Sequence, residues 1–158
     1  MTGQTLDETK LVLTRVYDAP VERVYRAFTE AADLARWFAP EPGWRPEVRE
    51  ADVRPGGRLV VAFGPPGAEP YVETNEYLEV VAGERLVFRM TISRSDMPVP
   101  SRGLVTIEFR ADGPRTIVTV TDVGTADDLD SRPGGWSRTL ENLKRVLRQQ
   151  NGRSRYIP

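Results

Sequence analysis

Along residues 11–17, LVLTRVY, apolar and polar positions alternate and β-branched residues recur, the pattern of a half-buried strand. The period then changes. In DAPVERVYRAFTE, Val21, Val24, Tyr25 and Phe28 fall on one helical face, and a helix is predicted over Pro20–Thr29. Asp18 is read as its N-cap and Pro20 as a first-turn residue. EAADLARWF predicts a second, shorter helix ended by Pro40.

From Pro46 the period drops to two. EVREADV, RLVVAF, YVETNEYLEVV, RLVFRMTIS, GLVTIEFRA and TIVTVTDV predict six strands. RPGG, GPPGAEP, AGE, RSDMPVPS and DGPR separate them, and connections this short predict an antiparallel meander. Leu86, Phe88, Met90 and Ile92 share a face, as do Val105, Ile107 and Phe109, and Val118, Val120 and Asp122. Strand 71–81 allows two registers: Tyr71, Glu73, Asn75 and Tyr77 inward, or Val72, Thr74, Leu78 and Val80 inward. A bulge near Asn75 would make each partly right. The loop GTADDLDSRPGG leads to a last helix, GWSRTLENLKRVLRQQ, with its stripe at Trp136, Leu140, Leu143 and Leu147 and its stop at Asn151–Gly152. The order β, α, α, six strands, α predicts an α+β fold. About seven antiparallel strands carry two short helices, and the long C-terminal helix lies across one face. A single domain is expected over residues 11–150, with a flexible stretch at 1–10 and a tail at 151–158.

Composition narrows the chemistry. Lys and Arg total 22 against 23 Asp and Glu, so no basic excess points to nucleic acid. The cations Lys144, Arg145, Arg148, Arg153 and Arg155 are read as solvated charges near a helix C-terminus. With no Cys and no His, disulfides, thiolate sites, Ser–His triads and thiol nucleophiles drop out. No run is long and apolar enough for membrane insertion, and MTGQTLDETK has no signal-peptide core, so a cytoplasmic protein is expected. No metal or cofactor motif is present, and no cofactor is expected.

APVERVYRAFTEAADLARWFAP, ADVRPGGRL, YLEVVAGERLVF, LVTIEFRADGPRTIVTVTDVG and GGWSRTLENLKRVL follow one another in that order. Together they resemble the homologues of the activator of heat-shock-protein ATPase, within the START-like (SRPBCC, helix-grip) superfamily. The likeness runs from about Leu11 to Leu147. It implies a curved sheet gripping the C-terminal helix, with a cavity between them. Superfamily members bind lipids, polyketides, hormones or other hydrophobic molecules; some are cyclases, and one branch is a co-chaperone.

On that frame Phe63, Tyr77, Phe88, Met90, Ile92, Val105, Ile107 and Val118 point toward Trp136, Leu140 and Leu143, as packed core or as cavity wall. A cavity of ~300–1,000 Å³ would suit a small molecule. Asp122 either faces inward, orienting a polar ligand group with Tyr71 or Tyr77, or sits at a strand end in solvent beside an arginine; the second is the preferred reading. In LARWFAPEPGW, Trp37 is expected in the core and Trp44 at a rim, as ligand or partner contact. The loop 93–102, with Met97 and Val99, is expected to form a movable rim.

The function expected is non-catalytic binding of an unidentified small hydrophobic or amphipathic ligand in that cavity. One alternative is a co-chaperone or protein-interaction module with a chaperone ATPase as partner, although no counterpart of the eukaryotic co-chaperones' additional N-terminal domain is expected. A second is a cyclase-like acid–base enzyme using Asp122 and Tyr77. A monomer or homodimer is expected.

Overall fold

A computed structural model describes residues 8–154. The chain runs β1 (Glu8–Tyr17), α1 (Val21–Thr29), α2 (Ala31–Trp37), β2 (Glu47–Ala51), β3 (Arg58–Phe63), β4 (Tyr71–Val81), β5 (Arg85–Ser93), β6 (Ser101–Asp112), β7 (Arg115–Thr125), α3 (Ala126–Asp130) and α4 (Trp136–Ser154). All seven strands form one antiparallel sheet in the order β1-β7-β6-β5-β4-β3-β2. The α+β helix-grip architecture is therefore present.

The buried core lies on one face of the sheet, under α1, α2 and α4. Leu86, Phe88, Met90 and Ile92 of β5 alternate with more exposed neighbours, as period two requires. Leu140 and Leu143 of α4 are fully buried. The Tyr17 hydroxyl donates to the Leu140 carbonyl at 2.9 Å, tying edge strand β1 to α4. The opposite face is wetter: Val12, Val16, Leu78 and Leu104 are exposed there or at its edges.

Several boundaries differ from the sequence reading. β1 begins at Glu8, so Glu8–Lys10 are strand; residues 1–7 lie outside the described residues. Asp18 does not cap α1. Pro20 is the N-cap and accepts from the Arg23 and Val24 amides, while Ala19 is buried and its carbonyl accepts from Thr116 Oγ1 at 2.8 Å. The 124–135 segment contains α3, fixed by a capping box in which Thr125 and Asp128 bond each other's backbone amides. α4 continues through Asn151–Gly152 to Ser154, because a glycine inside a helix costs only about 1 kcal/mol and need not end it. Residues 155–158 of the expected tail lie outside the described residues.

Strand β4 combines both registers. Glu73, Asn75 and Tyr77 face the core, and the pairing with β5 slips between Tyr77 and Glu79. After that bulge Leu78 is exposed and Val80 packs against the core.

Candidate functional site

Between the sheet and the first turn of α4 lies a cavity of about 30 Å³. β3 contributes Phe63, β4 Glu73, and β5 Met90 and Ile92. The end of α2 adds Phe38, Ala39 and Pro40, and α4 adds Trp136 and Thr139. Arg132, Pro133 and Gly135 close the remaining side. The expected ~300–1,000 Å³ is not reached. The reason is direct packing: α4 sits on the sheet through Trp136, Leu140 and Leu143, each almost wholly buried.

Of the candidate residues, Phe63, Met90, Ile92 and Trp136 meet at this cavity. Tyr77, Phe88, Val105, Ile107, Val118 and Leu140 lie in the surrounding core, with Tyr77 and Phe88 edge to face at 5.7 Å. Trp44 stacks on Phe63 at a centroid distance of 6.4 Å, and Tyr71 lies tilted against Phe63 at 6.2 Å. Arg94 lies over the Tyr71 ring at 4.0 Å, and Ser95 bonds Glu69, so the 93–102 loop is anchored at its start. Val99 at its tip is 63% exposed, whereas Met97 is half-buried. Trp44 also lines a surface groove of about 440 Å³ with Arg36, Arg45, Val146 and Gln149. Trp37 is core, as expected: its indole N–H donates to the Ala27 carbonyl at 2.8 Å and its ring meets Phe28 edge to face.

The preferred reading of Asp122 as a solvated strand-end residue is wrong, although its partner is an arginine. Asp122 is fully buried. It accepts from both terminal nitrogens of Arg132 and, at 2.8 Å, from the Trp136 indole N–H. Arg132 also donates to the Arg102 carbonyl at 2.9 Å and to Ser101 Oγ at 3.3 Å. Burial pushes the Asp122 carboxyl above its ordinary value, against the opposing pull of the guanidinium and the indole. Gly103 makes room for this group, since a side chain there would run into Asp122 and Arg132.

Glu73 is the other buried carboxyl, and unlike Asp122 it lines the cavity. It accepts from Asn75 Nδ2 at 2.9 Å, and Asn75 Oδ1 is buried without a partner. Desolvation raises the Glu73 carboxyl from 4.5 to about 7; Asp122 adds to the rise, while Asn75 and Arg132 oppose it. Sequence reasoning left Glu73 open with the β4 register. It missed the Phe38–Pro40 wall and Arg132, the only signal for the latter being that a buried Asp122 must find a cation.

A family model described as "Activator of Hsp90 ATPase homolog 1-like protein" matches residues 18–148. The chain belongs to this family. A search of curated proteins finds no match. Among solved structures, a protein from Chromobacterium violaceum is 28% identical, with a TM-score of 0.72 over 87% of this chain and 96% of its own. One from Nitrosomonas europaea is 27% identical, with a TM-score of 0.72 over 89% and 95%. One from Arthrobacter aurescens, 17% identical, shares the fold with a TM-score of 0.77 over 89% and 86%. Family and fold together support a domain of ligand-binding or co-chaperone type. Among the described residues, no helix is long and apolar enough to cross a membrane, and no group of Asp or Glu side chains is arranged to hold a metal ion.

Proposed function

We propose that the protein binds a small hydrophobic or amphipathic ligand between the sheet and α4, without transforming it. The observation that carries this reading is Glu73, a desolvated carboxyl in the wall of a mainly apolar cavity. A contact that served only to seat the helix would gain nothing from such a group, whose burial is costly. At about 30 Å³ the cavity has room for only about two waters, so a ligand enters by widening it. Ser131–Gly135 is the wall suited to move. Gly134 and Gly135 hold φ of 82° and 94°, and the segment rests against Pro40. Its anchors are the Arg132–Asp122 pair and, in the first turn of α4, the Arg138–Glu41 pair.

Thermal-shift titration with indole, naphthalene and 4-phenylbutanol tests the proposal. At a hundredfold excess over Kd, binding adds about 2.7 kcal/mol and raises Tm by about 5 °C or more. Ile92→Phe, which puts a ring into the cavity wall, is expected to remove the shift. Absence of any shift, together with no ligand carried through native mass spectrometry, would overturn the reading.

The groove beside Trp44 favours a second reading, a protein-interaction domain acting on a chaperone ATPase as the family description suggests. It expects the purified protein to stimulate such an ATPase and Trp44→Ala to lose the stimulation. A protein inert in that assay would remove it.

A further inference from the structure

The two buried carboxyls are provided for differently. Asp122 has Arg132, whose charge it neutralises through a two-point contact, and it has the Trp136 N–H as well. Glu73 has one amide donor and, among the described residues, no cation in ion-pair contact. Beside it Asn75 Oδ1 is a second buried acceptor with no donor. With Glu73 ionised, this end of the site is therefore rich in acceptors and short of charged donors.

Among the described residues no uncommitted cation corrects that, and the Tyr77 hydroxyl is a neutral donor. On β4 the neighbours are Asn75 and Tyr77; β7 brings Asp122, and the α3–α4 connection brings Arg132, already committed to Asp122. Across the strands, β3 offers Val61 and β5 offers Ile92. The cavity walls from the end of α2 and from α4 add no titratable group.

We infer that the ligand of this cavity carries a hydrogen-bond-donating nitrogen, a primary amine on an apolar body, and that Glu73 receives it. The inference rests on the ligand-binding reading above. A ligand carboxylate would bring a like charge to ionised Glu73 with no free cation among the described residues to offset it. An alcohol would supply one donor and no charge. An ammonium supplies three donors and the missing counter-charge, and it meets a carboxylate in a site where such pairs are little screened. The apolar body then lies against Phe63, Met90, Ile92 and Trp136.

The charge state gives the inference a signature. Burial holds the Glu73 carboxyl up to about 7, so pairing with an ammonium below that pH requires Glu73 to release a proton. Amine affinity then rises with pH, approaching tenfold per unit well below neutrality, and levels off above about 7.

The test is calorimetric titration of the full chain with 4-phenylbutylamine, 4-phenylbutanol and 4-phenylbutanoate at pH 5.5 and pH 8. The amine is expected to bind tightest at pH 8 and at least ~10-fold more weakly at pH 5.5, while the alcohol binds equally at both. Glu73→Gln is expected to lose the amine's advantage over the alcohol together with its pH dependence. Equal affinities, preference for the acid, or an amine preference that survives Glu73→Gln would overturn this inference alone. Failure of all three compounds, the alcohol included, would overturn the ligand-binding reading as well. The pH dependence in the unmodified protein decides the matter even if the variant does not fold.

Discussion

Glu73 and Asp122 face the core from β4 and β7 of the same sheet, yet they affect stability differently. Between pH 4.5 and about 7 folded Glu73 holds a proton that the unfolded chain has released. Its favourable contribution is therefore complete in acid, declines as pH rises through this window, and is gone above about 7. Glu73→Gln removes the dependence. The stability of the variant relative to the parent should climb by up to about 3 kcal/mol from pH 4.5 to pH 7.5, read from urea melts at matched pH. A flat difference would show that the folded carboxyl titrates normally. At Asp122 the energetic concern is the partner. Asp122→Ala leaves the Arg132 side chain, 4% exposed, without its counter-charge and the Trp136 N–H without its acceptor. A loss of about 3–5 kcal/mol is expected in the same melts. Replacing both Asp122 and Arg132 should cost less than the sum of the two single changes, because the stranded charge disappears with its partner.

At the scale of elements, what the sequence made legible was periodicity, and what it hid was pairing. The stripes of β5 and α4 were readable because each residue's face follows from its own period. The β4 register was not, because Glu73 and Asn75 are polar residues on a buried face and a bulge then reverses the alternation. The expected bulge near Asn75 falls after Tyr77 instead. α3 carried a readable signal in Thr125-x-x-Asp128, masked by the surrounding Asp, Gly and Pro. The Asp122–Arg132 pair joins a strand to a connection ten residues on, through a gap left by Gly103 on β6, and no local pattern encodes such a meeting. Trp37 illustrates the readable kind. It joins α2 to α1 through its bond to Ala27 and its contact with Phe28. Trp37→Ala should cost about 3–5 kcal/mol in urea unfolding. Trp37→Phe keeps a ring against Phe28, loses the N–H, and should cost distinctly less.

Over the whole molecule, α1, α2 and α4 all cover the same face of one sheet, and a single buried cluster runs from Tyr17 through Phe28 and Trp37 to Leu147. No boundary divides that cluster, so unfolding is expected to be one cooperative transition. Leu143 tests this because it is fully buried on α4, far along the chain from the α1–α2 pair. Leu143→Ala should lower stability by about 2–5 kcal/mol. The loss should fall equally on both ends of the core, so far-UV circular dichroism and tryptophan fluorescence, to which core residue Trp37 contributes, should shift to the same lower denaturant midpoint. The same expectation limits how the cavity opens. If α4 had to leave the sheet to admit a ligand, entry would disrupt the shared core and approach the cost of global unfolding. Movement of Ser131–Gly135 leaves Leu140, Leu143 and Leu147 in place, so its cost is set by the Arg132–Asp122 anchor and stays below that of global unfolding. Hydrogen exchange should therefore show Ser131–Gly135 exchanging far faster than the buried part of α4, with Leu143→Ala accelerating the latter. If both segments exchanged together at the global rate, the ligand would have no route smaller than unfolding.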